Sequence, residues 1–250
     1  MIPPVLVDED IKRWIEEDIP YWDVTTSLLP SKKTEGKIYT KQEGVVAGLI
    51  FVKRIFEFLG AECEILTKEG EKVSKATTVA IVKGDIHSLL QAERVSLNIL
   101  GRLSGIATKT AIMVEIANRE NPELKICATR KIVPGLSKYD KYAVVTGGGD
   151  THRFNLSDMI LLKENHLRGF DSLTLAIRTA KSKTSFSKKV EVEIQTKEQA
   201  IEATKAGADI IMLDNFSPQE AKETIELIKK INDDAYKKKE KLVKALTRLV

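Results

Sequence analysis

The span Val190–Asn215, VEVEIQTKEQAIEATKAGADIIMLDN, decides the fold class. Val190, Val192 and Ile194 alternate with Glu191 and Glu193, the period-two pattern of a strand with two unlike faces. Lys197 to Ala206 reads as a helix, and Gly207 stops it. Ala208 to Asn215 is then expected as a second, buried strand that ends at Asp214. The next run, SPQEAKETIELIKKI, is a helix with Ser217 as N-cap and Pro218 in its first turn.

Upstream, the same rhythm runs back to Lys125. ICAT reads as a strand ending at Arg130-Lys131, Pro134-Gly135 turns the chain, and Tyr139 to Val145 is helical up to Gly147-Gly148-Gly149. MILLK is an apolar run ending at Lys163, and Leu173 to Ala180 is a helix. Polar residues therefore arrive at successive strand C-termini: Arg130 and Lys131, Lys163, Glu193, Asp214. Active sites of βα barrels form at that edge. The repeat alone does not separate a closed barrel from an open doubly wound sheet. A strand-end charge that merely caps a helix explains any one of these residues, but is a poor account of four in register.

The first half of the chain has another pattern. Residues 8–17 form an amphipathic helix that Asp8 could cap, with Ile11, Trp14 and Ile15 on one face, and Pro20 ends it. Residues 35–83 mix strands (GKIYTKQ, GVVAGLI, CEILTK, KVSKATTVAIVKGD) with a helix from Phe51 to Leu59 stopped by Gly60. Ile86 to Arg119 is helical, with a break or a close helix–helix approach expected at Gly101 and Ser104-Gly105. Glu93, Arg94 and Asn98 stand there among apolar neighbours, as a buried salt bridge or as ligand-binding groups.

Composition excludes several classes. Apolar residues make up 42% and charged residues 30%, ordinary for a globular chain. A net charge of +4 is slight, and the lysine-rich KKKEK near the end reads as a solvated helix face; no nucleic-acid partner is expected. No apolar run approaches the ~18 residues of a membrane span. The first residues lack a basic segment followed by an apolar core, so no membrane partner or signal peptide is expected. Cys63 and Cys127, far apart in apolar contexts, read as two buried reduced thiols of a cytoplasmic protein.

The chemistry concentrates between Ile126 and His166, where Arg130, Lys131, His152, Arg153, Lys163 and His166 gather. With Arg94 they exceed what one carboxylate requires and suit a dicarboxylate, or a carboxylate beside a phosphate. Glu193 and Asp214 supply the opposite charge, fit for ribose hydroxyls, a developing cation or magnesium. The triple glycine either lets backbone approach a ligand or is a flexible turn; it matches neither the P-loop nor the GxGxxG pattern. His152 has no Cys or His at metal spacing.

The strings QAERVSLNILGRLSGIAT, ATRK, PGL, KYAV, GGGDTHRFNLSD, LLKENH, VEVE and AGADIIMLDN resemble the quinolinate phosphoribosyltransferase family over roughly residues 8–220. The resemblance implies an α/β fold: a small N-terminal α/β sandwich domain (1–105, with the start of the long helical segment) and a C-terminal incomplete α/β barrel (106–250), shortened at its last βα units. It implies a pentosyltransferase of NAD biosynthesis that uses quinolinate and phosphoribosyl pyrophosphate with Mg2+ on the diphosphate. It also implies a homodimer in which Arg94 is contributed across the interface. By motif, Arg94 (ER-x-x-LN), Thr129, Arg130 and Lys131 (TRK), His152 and Arg153 (HR-x-x-LSD) and Lys163 (K-x-NH) would bind the pyridine dicarboxylate and a nearby phosphate. Glu193 and Asp214 would face the ribose and the magnesium–diphosphate end. Lys131, Glu193 and Asp214 are the catalytic candidates, and no residue is assigned as a direct metal ligand.

Departures from the family pattern are local. Ile132 stands where the family usually has Thr, and EDIPYWDVTT is closer to the relative of molybdenum-transport operons. After residue 231 the family's E-x-SGGI and S-x-G-x-LTHS loops, which help bind phosphates, are replaced by NDDAYKKKEKLVKALTRLV. Two origins are open. A frame slip in an adenine-rich run at Lys237–Lys239 would let the codons for 240–247 spell a sequence one place from EASGGIN. Alternatively the tail is a basic helix with Leu242, Leu246 and Leu249 on one face. A quinolinate-binding or partner-binding homologue without catalysis is the alternative reading.

Overall fold

The computed structural model describes residues 2–246, with side-chain surroundings to residue 233. The tail's leucine face and its shifted-frame reading lie outside the described side chains. The chain divides into two compact units, Met1–Phe154 and Asn155–Val250.

The first unit opens with α1 (Pro4–Asp18). An antiparallel sheet in the order β1–β5–β3 follows, from β1 (Lys33–Tyr39), β3 (Glu62–Ile65) and β5 (Thr78–Asp85). A second pair joins β2 (Gly44–Val45) to β4 (Lys72–Val73). Helix α2 (Leu49–Phe58) buries Leu49, Phe51, Val52, Ile55 and Phe56. Burial of each such side chain is worth about 1.5–3 kcal/mol before entropy is charged. Helices α3 (Ile86–Glu120) and α4 (Ser137–Thr146) complete the unit.

Several expectations are corrected here. Pro4 starts α1 with Pro3 at the cap, so Asp8 does not cap it. Asp8 instead takes a two-pronged bond from Arg54, Nε to Oδ1 at 2.6 Å and Nη2 to Oδ2 at 2.7 Å. Helix α3 runs unbroken for 35 residues, capped by Asp85. Nothing would meet a Cβ at Gly101 or Gly105, whereas a Cβ on Gly44 would lie 2.7 Å from Thr108 Oγ1. The close approach to α3 therefore comes from the segment beside it. Glu93 and Arg94 are exposed and 3.7 Å apart, not a buried bridge. ICAT is no strand: Cys127 makes only an isolated parallel bridge to Asp150. That loop leaves Cys127 exposed, while Cys63 is buried and its thiol is pushed up to about 11 by burial.

The second unit is a parallel sheet of β6 (Ile160–Leu162), β7 (Val190–Ile194) and β8 (Ile210–Leu213), in that order. It carries α5 (Glu164–Leu167), α6 (Leu173–Lys183), α7 (Lys197–Ala206) and α8 (Pro218–Leu246). Val190, Val192 and Ile194 are buried with Ala176, Ile177, Ala200 and Ala203 of α6 and α7. Strand β8, expected to be buried, is only half-buried, because it lies at the edge of the sheet. At the strands' N-terminal edge Asp209 accepts from Lys181 Nζ and Val190 N, both at 2.8 Å. Burial opposes its charge, but these donors hold its carboxyl below the usual range. Gly207 stops α7 at φ +85°, and Ser217 with Glu220 closes the start of α8, as expected.

Candidate active site

In the first unit the basic residues hang on a loop pair joined by backbone. Asp150 N donates to Ile126 O and Ala128 N donates to Asp150 O, both at 2.8 Å. The bridge sets the Thr129–Lys131 segment beside the turn that bears His152 and Arg153. Thr129 Oγ1 accepts from Lys131 N at 3.0 Å, which fixes the turn between them. Thr129, Arg130 and Lys131 are exposed, His152 is half-buried and Arg153 is buried. A cleft of about 620 Å³ is lined by Thr129, Lys131, Pro134, Arg102, Asp140 and Lys141, among others. Its volume is within the ~300–1,000 Å³ of small-molecule pockets, but Arg130, His152 and Arg153 do not line it. Arg94 stands away from this cleft; it borders a separate groove with Gly44, Ser104 and Thr108.

The triple glycine serves packing. A Cβ on Gly147 would sit 2.4 Å from Ala107 O, and one on Gly149 would sit 2.7 Å from Val144 Cγ1 and 2.8 Å from Ile126 O. The backbone approaches α3 and the 126–128 segment at Gly147 and Gly149, while Gly148 turns the chain between them at φ +87°.

Three charged groups that sequence reading passed over hold this half together. Arg102 grips Asp140 with two bonds, Nε to Oδ1 at 2.7 Å and Nη2 to Oδ2 at 2.8 Å. Lys141 is wholly buried and donates to Thr151 O and Arg153 O. The available signal was Asp140-Lys141 inside a helix whose Tyr139 and Ala143 are apolar anchors, since buried charges are seldom left without partners.

In the second unit, register explains what meets. Leu162 pairs with Val192, so the next step along places Lys163 level with Glu193. Side chains alternate across strands, and both point to the same face. Lys163 Nζ is hydrogen-bonded to Glu193 Oε2. Lys163 N donates to His166 Nδ1 at 3.0 Å, which leaves the neutral ring's proton on Nε2. Asp214 follows β8, with its N–H on Ile194 O at 2.9 Å and its Oδ2 accepting from Asn215 Nδ2 at 2.9 Å. Asn215 has φ +59°, a strained left-handed backbone of the kind that clusters at functional sites. Among the described residues no group of three or more His, Cys, Asp or Glu could hold a metal, and no helix is long and apolar enough to cross a membrane.

Known proteins share this sequence and fold. The pattern of the quinolinate phosphoribosyl transferase N-terminal domain matches residues 23–104, and that of its C-terminal domain matches residues 106–239. A probable nicotinate-nucleotide pyrophosphorylase [carboxylating] of Archaeoglobus fulgidus is 45% identical over 212 residues, 85% of this chain and 80% of the relative. The human nicotinate-nucleotide pyrophosphorylase [carboxylating] is 34% identical over 229 residues, 92% of this chain and 77% of the relative. The crystal structure of NadC from Streptococcus pyogenes superposes with a TM-score of 0.85 at 37% identity, covering 91% of this chain and 81% of that one. With both domain patterns matched in order, the chain belongs to the quinolinate phosphoribosyltransferase family.

Proposed function

We propose that the chain is a carboxylating nicotinate-nucleotide pyrophosphorylase, a pentosyltransferase of NAD biosynthesis. It transfers phosphoribosyl from phosphoribosyl pyrophosphate to quinolinate and releases diphosphate and carbon dioxide, giving nicotinate mononucleotide. The observation that carries this is the 45% identity, over 80% of its length, to a relative bearing that name. The non-catalytic and molybdenum-operon alternatives find no support in the relatives named.

The roles of individual residues are part of the proposal. Arg94, Thr129, Arg130, Lys131, His152, Arg153 and Lys163 bind the two carboxylates and a nearby phosphate. Arginine forks and lysine point charges suit those anions, and holding them turns the ring nitrogen toward the anomeric carbon. Glu193 and Asp214 act on the ribose side, where carboxylates stabilise oxocarbenium character. The bond from C1 of the ribose to diphosphate breaks as the bond to the ring nitrogen forms. Carbon dioxide then leaves from C2, the adjacent pyridinium stabilises the electron pair left on that carbon, and a proton from solvent adds there to give nicotinate mononucleotide. Mg2+ enters with the diphosphate as part of the substrate and neutralises the leaving group.

The assembly is proposed as a homodimer, with exposed Arg94 completing the partner's site, in the cytoplasm. The domain division proposed at 105/106 follows the two family regions, which adjoin inside α3, whereas the compact units divide after Phe154.

Carbon dioxide and diphosphate release from quinolinate plus phosphoribosyl pyrophosphate tests the activity. Arg130→Ala should weaken quinolinate binding at least about tenfold by calorimetry, the loss of one charge-assisted contact. Unchanged affinity would remove Arg130 from the site.

A further inference from the structure

Lys141 lies on α4, yet its ammonium acts on a different segment. It donates to Thr151 O at 2.5 Å and to Arg153 O at 2.7 Å, and stands 5.5 Å from the Phe154 ring. The residue between those two carbonyls, His152, has φ +49°. A non-glycine residue there costs of order 1–3 kcal/mol unless its surroundings enforce it. The enforcing bonds surround it. His152 N donates to Asp150 Oδ1 at 2.7 Å, Thr151 Oγ1 donates to His152 O at 2.9 Å, and Lys141 draws the flanking carbonyls together.

A buried lysine is costly unless several acceptors share its charge. An apolar residue in α4 would have spared that cost. Its use for two carbonyls spaced around one left-handed residue means that the ammonium sets the shape of the turn. Arg102 anchors the same helix one residue earlier, through Asp140, so the root of the lysine is fixed as well.

We propose that Lys141 is a positioning residue for quinolinate: by gathering the carbonyls of Thr151 and Arg153 it holds His152 left-handed and aims His152 and Arg153. This rests on the proposed function for the ligand's identity, but not for the geometry. It predicts which substrate suffers. Without the ammonium, the turn relaxes and the dicarboxylate loses the orientation of His152 and Arg153, while Lys163, Glu193 and Asp214 on the second unit keep their geometry.

The test uses the full chain with Lys141→Met, which removes the donors at similar volume, and Lys141→Gln, which keeps one shorter donor. Hydrogen exchange by mass spectrometry should show faster exchange in residues 150–154 of Lys141→Met, with α3 unchanged. Quinolinate affinity should fall about tenfold, the worth of roughly one charged hydrogen bond. The KM for phosphoribosyl pyrophosphate should change by a smaller factor than the quinolinate affinity. In a His152→Ala/Arg153→Ala background, Lys141→Met should cost almost nothing further, because it acts through those two side chains. Lys141→Gln should fall between, and carries the same comparison if Lys141→Met does not fold. Additive losses in the double background, or unaltered exchange in 150–154, overturn the proposal. If the wild type binds no quinolinate, the functional reading fails, and exchange alone decides whether Lys141 holds the turn.

Discussion

Replacing Glu193 by Gln separates structural from chemical use of one carboxylate. The side chain of Glu193 is 15% exposed and that of its partner Lys163 is 43% exposed, so water reaches the pair. Such pairs contribute at most about 1 kcal/mol, and the glutamine keeps an acceptor oxygen for Lys163. For a chain of this size that is a fall in Tm of about 2–4 °C. If the carboxylate stabilises oxocarbenium character, its loss removes an electrostatic contribution that typically carries about 10²–10³ in kcat. Diphosphate release at saturating substrates, beside a thermal melt, measures both quantities. A Glu193→Gln protein that melts like the wild type and keeps its kcat would falsify the assignment. A large fall in Tm with activity lost in proportion would reduce Glu193 to a structural residue.

Two further outcomes follow from packing. Asp10 is buried and accepts from Tyr139 at 2.7 Å, with Lys138 at 2.5 Å and Arg13 also paired to it. Burial opposes its charge, but these donors hold its carboxyl below the usual range. Asp10→Asn should cost about 2 kcal/mol at neutral pH in denaturant titrations. Because the folded carboxyl is depressed, that contribution is present above about pH 4 and fades as pH falls through the folded value, so the two proteins should converge in acid. Gly147→Ala places a methyl against Ala107 O and Thr110 Cβ and should cost about 1–3 kcal/mol, whereas Gly105→Ala, with open space around it, should not destabilise α3.

The second unit was legible because its signals are local. Period-two alternation in VEVEI, a glycine stop at 207 and a Ser-Pro start at 217–218 each act within one turn or strand. The strand-end positions of Lys163 and Glu193 were also legible, but their mutual hydrogen bond was not, since it depends on the parallel register of two strands. What failed depends on distant partners. Gly101 and Gly105 looked like a break, but α3 is held by packing against α2, β2 and α4, which propensity does not see. Gly147 and Gly149 left a ligand approach or a turn open, because the carbonyls they pack against lie tens of residues away in sequence. Lys141 could be suspected of burial from its place between Tyr139 and Ala143, but the carbonyls of Thr151 and Arg153 that it holds are backbone atoms, which leave no mark on sequence. Cys127 read as buried from apolar neighbours that form a loop rather than a strand.

The bond from Tyr139 to Asp10 also constrains the order of events during synthesis. The two residues are 129 positions apart, and Trp14 packs on the same tyrosine at 5.0 Å. At about 5–20 residues per second, α1 leaves the ribosome many seconds before α4 is made. Until then its apolar face, with Val7 and Ile11, has only part of its final cover. Asp10 gives that waiting helix a charge on its inner side, where Arg13 of the same helix already pairs with it and Lys138 and Tyr139 complete its partners later. Arg54 of α2 can hold the first helix through Asp8 early in synthesis, but the inner charge of Asp10 finds its last partners only once α4 has been made.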